Sequence, residues 1–196
     1  MKMLIELSRK TAETDIKLKL DLEKKEKPQI NTGLPFFDHM LHAMAFHGKF
    51  YLKIEASGDI DVDPHHLVED TGLVLGQALL KSFSDKSAIN RYGNAKIPMD
   101  DALSEVIIDV CNRPYLVYQV GFPQENSGSF ANFLFKEFFQ ALVSEAKINL
   151  HLITHYGENS HHRSESLFKA AGIAIEYAFR KTGEKGTGSM STKGII

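Results

Sequence analysis

The chain carries one cysteine, Cys111, and no tryptophan. A lone thiol cannot close an internal disulfide or build a thiolate zinc finger, so a reducing compartment is expected. No apolar run approaches the roughly 18 residues that a membrane-crossing helix needs. Met1-Lys2-Met3-Leu4-Ile5-Glu6 lacks a long apolar segment, so no secretory signal is expected and the expected location is cytoplasmic. Charge bias is missing too. With 23 basic against 25 acidic side chains and a net charge of −2, the chain has no global basic footprint for nucleic acid. Low complexity is also absent: 43% of the residues are apolar and 24% charged, as in a soluble protein with a real core. A length of 196 residues fits one domain, or two small related halves.

What is plentiful is histidine, with nine copies at 39, 42, 47, 65, 66, 151, 155, 161 and 162. Around them the hydropathy pattern is clear. From Asp15 to Glu23 it alternates strictly, with Ile16, Leu18, Leu20 and Leu22 on one face, which predicts a half-buried strand. Leu4 to Arg9 is its expected neighbour, and Lys24-Lys25-Glu26-Lys27-Pro28 reads as an exposed turn. Pro35 to His47 reads as a helix ending at Gly48, and Phe50 to Ala56 as a strand. Asp63-Pro64 predicts a helix start, with Asp63 as cap. In that helix, Gly72 and Gly76 would let another element pack close.

The second half repeats the plan. Ala95–Pro98, Ser104–Asp109, Tyr115–Val120 and Asn149–His155 read as strands, and 121–128 as a loop. A helix is expected from Phe130 to Ala146, with Phe130, Phe133 and Phe138 on its aromatic face. Another is expected from a Ser160 cap to about Arg180, burying Leu167, Ala170, Ala171, Ala174 and Ala178. His65-His66-Leu67-Val68-Glu69 recurs as His161-His162-Arg163-Ser164-Glu165, and a two-residue gap sets His39 opposite Glu137. The expected architecture is therefore α+β. It is an internally duplicated strand/helix unit, with halves at 1–92 and 93–196 whose sheets pack through their helices into one compact domain.

The His-His-x-x-Glu units carry the chemistry. On a helix, positions i and i+4 share a face, so His65 with Glu69, and His161 with Glu165, can each hold one ion. The neighbouring histidine points about 100° away. Adjacent histidines therefore imply two ions, or one ion shared across a subunit boundary. Imidazole plus carboxylate suits manganese, iron or zinc better than calcium. Two matched copies weigh strongly against histidines that merely satisfy hydrogen bonds. His42, His47, His151 and His155 lack that symmetry and read as structural.

Other features are plain alone. Arg91 and Arg113 fall in turns, and Glu13 looks like an ordinary surface carboxylate. Ser189-Met190-Ser191-Thr192-Lys193-Gly194 could wrap a phosphate with amides, a hydroxyl and an ammonium, although the default for such a tail is fraying.

Taken in order, several blocks resemble the imidazoleglycerol-phosphate dehydratase family along essentially the whole chain. They are Thr11-Ala12-Glu13-Thr14-Asp15, Phe36-Phe37-Asp38-His39-Met40-Leu41, Pro64-His65-His66-Leu67-Val68-Glu69-Asp70-Thr71, Pro98-Met99-Asp100, Gly157-Glu158-Asn159-Ser160-His161-His162 and Ser191-Thr192-Lys193-Gly194. The resemblance implies a lyase with two Mn2+ per active site. It would dehydrate D-erythro-imidazole glycerol phosphate to imidazole acetol phosphate in histidine biosynthesis. It also implies a homo-oligomer of 24 subunits built from trimers, with sites at interfaces.

By motif, the implied ligands are His39, His65, His66, Glu69, His161, His162 and Glu165. Arg91, Arg113, Ser191 and Lys193 would hold the phosphate, with Glu13, His39 and His65 also touching substrate. Glu13 would move protons, assisted by Glu69 or Glu165. Two positions depart from the family pattern. Glu137 stands where many relatives carry a histidine ligand, and is kept as an oxygen donor. Ala43 stands where many carry a glutamine near the phosphate, which leaves more of that contact to the arginines and Lys193. No phosphatase segment precedes the dehydratase blocks, so a single activity is expected.

Three other readings compete with this one. A histidine-rich metal store explains the repeats but leaves Arg91, Arg113 and Lys193 without a purpose. A zinc hydrolase is separable by metal content and an ester assay. A nucleic-acid module fits the −2 charge poorly.

Overall fold

A computed structural model describes residues 4–82 and 89–182. The strictly alternating stretch forms β2 (Thr14–Asp21), where Ile16, Leu18 and Leu20 are fully buried and Lys17 and Lys19 face out. It pairs antiparallel with β1 (Ile5–Lys10) and with β4 (Tyr51–Gly58), and β3 (Gln29–Asn31) joins β4 in parallel. Helix α1 spans Pro35–His47, as predicted, and closes with the Gly48 amide on the Met44 carbonyl. Helix α2 (His65–Lys81) starts where the Asp63 carboxylate accepts the His65 amide at 2.8 Å.

The second half has β5 (Tyr92–Met99), β6 (Ala102–Asp109), β7 (Tyr115–Gln119), α3 (Leu134–Ala146), β10 (Asn149–Tyr156) and α4 (Ser160–Phe179). Between β7 and α3 it adds a short hairpin, β8 (Asn126–Ser127) with β9 (Phe130–Ala131). The two four-stranded sheets run β1-β2-β4-β3 and β5-β6-β10-β7. Each has two antiparallel pairings and one parallel pairing, in corresponding places. The duplication read from the sequence is a duplication of topology.

The helices exchange partners between halves: α1 packs on α4, and α2 on α3. Glycine makes both approaches possible. A Cβ at Gly76 would overlap the Leu142 carbonyl oxygen, and one at Gly172 the Met44 carbonyl oxygen. These crossings are repeat-related: Gly172 follows Gly76 by 96 residues, and Leu142 follows Met44 by 98. The two-residue gap that set His39 opposite Glu137 is thus built into the packing. One core runs through both halves, with Phe37, Phe135, Phe138, Phe139 and Phe168 fully buried in it.

Two expectations need correction. The helix expected from Phe130 begins at Leu134, because Gly128 turns the chain (φ +61°) and Phe130 pairs in the hairpin. Phe130 reaches the core from there, stacked on Phe37 at 5.8 Å, whereas Phe133 is 60% exposed. The cap of α4 is Asn159, whose side chain accepts the His161 amide at 2.8 Å. Ser160 is buried and instead anchors the preceding loop, exchanging hydrogen bonds with the Gln124 backbone.

Candidate metal centre

The crossing of α1 and α4 brings His39 beside the first turn of α4. Glu165 Oε2 lies 3.2 Å from His161 Nε2 and 3.5 Å from His39 Nε2, and the three donor atoms fall within 4.8 Å of one another. Two donors about 2.2 Å from one cation at right angles are about 3.1 Å apart, so these separations suit a single divalent ion. Phe36 meets the His161 ring edge-on at 5.1 Å and limits its rotation. The Glu165 side chain is only 12% exposed. Burial pushes its carboxyl up, but the Lys169 ammonium, 2.8 Å from Oε1, and the His161 and His39 rings outweigh this and leave it below its ordinary value. Lys169 thus occupies one carboxylate oxygen and leaves the other to the histidines.

On α2 the equivalent pair is looser, with His65 Nε2 3.7 Å from Glu69 Oε2. Among the described residues the three-donor group includes none of His65, His66, Glu69, Glu137 or His162. Glu137 occupies the repeat-equivalent place in the first turn of α3 but does not close a third donor around His65 and Glu69. Burial, and secondarily the Glu137 charge, raises the pKa of the Tyr118 phenol, whose buried hydroxyl has no hydrogen-bond partner among the described residues.

The second histidine of each pair turns away from the first, with ring planes at 85° for His65 and His66 and at 79° for His161 and His162. His66 Nδ1 lies 3.1 Å from Asp59 and 3.7 Å from Glu13, in the β1–β2 turn. His162 Nδ1 lies 2.5 Å from Asp101, in the β5–β6 turn. That ring and the amides of Glu158 and Asn159 hold the Asp101 carboxyl down to about 2.

Arg91 is buried, and its guanidinium forks onto Asp109 at 2.7 and 3.2 Å. Arg113 is exposed at the same end of the second sheet. In the register Tyr92 faces Asp109 and Met99 faces Ala102, so both arginines stand a full strand away from Asp101 and His162. Eight residues of strand are roughly 25 Å long. Ser191 and Lys193 lie outside the described residues. Among the described residues the other histidines join no three-donor group: His155 pairs with Glu105 at 2.7 Å, and His42 stacks on Phe46. Ala43 is buried in the core, consistent with its lack of a polar group. No helix among the described residues is long and apolar enough to cross a membrane.

A cavity of about 420 Å³ opens beside His161, lined by Gln124, Ser127 and Asn159. A larger cleft of about 830 Å³ lies near the C-terminal end of α4 and contains none of the expected site residues.

Asp59, Asp101 and Lys169 were not singled out from the sequence. Lys169 was legible as i+4 from Glu165, but no local spacing marks either aspartate.

The duplicated α+β scaffold and its imidazole–carboxylate donor set define the class: an α+β protein whose two halves bring together a group able to hold a metal ion. The family follows from comparison. Residues 32–175 match the model of the family described as imidazoleglycerol-phosphate dehydratase. The chain is 48% identical over 196 residues to the protein of that name from Trichlorobacter lovleyi, covering 100% of both. It is 47% identical over 191 residues to that from Shouchella clausii, covering 97% of both. Crystal structures of the dehydratases from Staphylococcus aureus and from Pyrococcus furiosus, the latter in complex with (S)-C348, superpose with TM-scores of 0.83 and 0.84 at 37% identity. They cover 92% and 97% of this chain and 100% of theirs. The chain belongs to the imidazoleglycerol-phosphate dehydratase family.

Proposed function

We propose that this chain works as a homo-oligomer with two Mn2+ per active site, each site assembled from more than one subunit. The activity that goes with the family is dehydration of D-erythro-imidazole glycerol phosphate to imidazole acetol phosphate, a carbon–oxygen lyase step of histidine biosynthesis. The observation that carries the metal reading is the convergence of His39, His161 and Glu165 within 4.8 Å. Shared sites are supported by separation. The arginines proposed to hold phosphate lie roughly 25 Å along the sheet from His162, too far for one small substrate within one chain. The turned-away rings of His66 and His162 give each chain donors for a neighbour. The number of subunits proposed is 24, and the location cytoplasmic. The halves 1–92 and 93–196 act as one domain.

The reaction removes a hydroxyl from the carbon beside the imidazole ring and a proton from the next carbon. That proton is poorly acidic, because no carbonyl adjoins it. Bound cations would supply positive charge that lowers the pKa of the ring N–H, the chemistry that would let the ring release the neighbouring hydroxyl and so make the next carbon's proton removable. His39, His65, His66, His161, His162, Glu69, Glu165 and Glu137 are the proposed ligands. Glu13, 55% exposed and beside His66, moves the proton between its carboxylate oxygen and the reacting carbons. Arg91, Arg113, Ser191 and Lys193 fix the phosphate and so orient the ring.

The test strips purified protein with a chelator, restores Mn2+ or Zn2+, and follows the enolisable ketone product from imidazole glycerol phosphate. Turnover should vanish and return with Mn2+. Undiminished turnover under exhaustive chelation would refute the metal reading, and tight metal binding with no product would favour a store.

A further inference from the structure

We infer that Asp59 and Asp101 are positioning residues that fix the tautomers of His66 and His162, leaving the Nε2 lone pair of each ring bare for a cation. The inference rests on the reading of these histidines as ligands. A carboxylate only accepts hydrogen bonds, so the contacts of 3.1 Å from Asp59 Oδ2 and 2.5 Å from Asp101 Oδ1 require the proton on Nδ1. In a neutral ring the other nitrogen is then the donor atom. Carboxylates behind metal-binding imidazoles serve in this way and make the ring a stronger ligand.

The two halves reach this arrangement from different places. Asp101 lies in the β5–β6 turn, whose counterpart in the first half is the β1–β2 turn bearing Glu13. Asp59 directly follows β4, and the residue at the matching point after β10 is Gly157. The same ring atom is thus held by aspartates unrelated through the duplication, which inheritance of a shared turn does not explain.

Both aspartates are themselves held. The second oxygen of Asp101 accepts the amides of Glu158, at 2.5 Å, and Asn159, at 3.2 Å, just ahead of α4. The backbone amide of Asp59 donates to the Glu13 carbonyl, and among the described residues its buried Oδ1 has no partner, so that His66 is the side chain's only hydrogen bond there. The other charged groups acting on the rings are Glu13, 3.7 Å from His66 Nδ1, Asp63, whose charge also reaches His66, and Asp100, 3.5 Å from His162 Nε2.

The test has two readouts besides turnover. Solid-state 15N spectra of histidine-labelled, metal-free protein at about pH 8 should show His66 and His162 protonated at Nδ1 alone, with signals assigned by their loss in His66→Ala and His162→Ala. Titration with Mn2+ should show affinity falling about 10- to 100-fold in Asp59→Ala and Asp101→Ala, the usual penalty for losing such a partner. Asp101→Asn should recover most of it, since the amide oxygen still accepts. Mixed tautomers at either ring in the unmodified protein would overturn the inference, needing no variant to fold. Wild-type Mn2+ affinity in Asp101→Ala, with weakened affinity in His162→Ala, would also overturn it while leaving the ligand reading intact. Unchanged affinity in His162→Ala would instead remove the ligand reading itself.

Discussion

Gly172→Ala sets two physical effects against each other. In the interior of α4, helix propensity alone predicts that alanine stabilises by about 1 kcal/mol. The packing predicts the reverse. A Cβ at 172 would overlap the Met44 carbonyl oxygen and stand 3.1 Å from the Gly48 amide nitrogen. Both are backbone atoms at the end of α1, so no rotamer change relieves them, and α1 must move as a body by an ångström or so. Overpacking a core by a methyl group costs about 1–3 kcal/mol, and a shift of a buried helix belongs at the upper end of that range. After the propensity gain, a net loss of about 1–2 kcal/mol remains. At about 2–4 °C per kcal/mol for a chain of this size, Tm should fall by about 2–8 °C in calorimetry at matched protein concentration. His39 lies five residues before Met44 on the same helix, so its 3.5 Å approach to Glu165 should widen, and Mn2+ affinity should fall in parallel. A Tm equal to or above wild type, with unaltered metal affinity, would refute the close-packing argument. Gly128→Ala serves as a contrast in which packing plays no part, because a Cβ there meets nothing within 4 Å and only the φ of +61° opposes it.

Further outcomes are expected elsewhere. Glu13→Gln should retain metal and assembly but lose turnover at least 100-fold in a steady-state assay, as expected for a general acid–base group. His39→Ala removes one donor of three and should weaken Mn2+ binding at least tenfold by titration, with α-helical circular dichroism unchanged. Arg91→Ala leaves the Asp109 carboxylate without its fork and should lower stability by about 1–3 kcal/mol in urea melts, apart from any effect on substrate KM. The carboxyl of Glu105 is held below its ordinary value, chiefly by the hydrogen bond from His155. That pairing stabilises the fold above the usual carboxylate range and is lost as pH falls through the lowered pKa. Melting curves of wild type and Glu105→Gln should therefore differ at about pH 6 and draw together as the pH falls below the usual carboxylate range.

Some of this was written locally in the chain. The alternation through Ile16, Leu18 and Leu20, the Asp63-Pro64 start, and the repeated His-His-x-x-Glu units each express a short-range rule of strand period, capping or helical facing. They sufficed for the elements, the duplication and two members, His161 and Glu165, of the one donor group found among the described residues. Where a local rule misled, a long-range contact had prevailed: Phe130 left the helix because the core could be reached from a hairpin, and Ser160 gave its capping place to Asn159 because a loop claimed its hydroxyl. Only the tertiary structure could decide that α1 crosses α4 rather than its own half's α2. His39 therefore completes a group with His161 and Glu165, 122 and 126 residues further along. Nor could spacing reveal Asp59 and Asp101, because a hydrogen bond to a ring nitrogen depends on where a turn comes to rest in space.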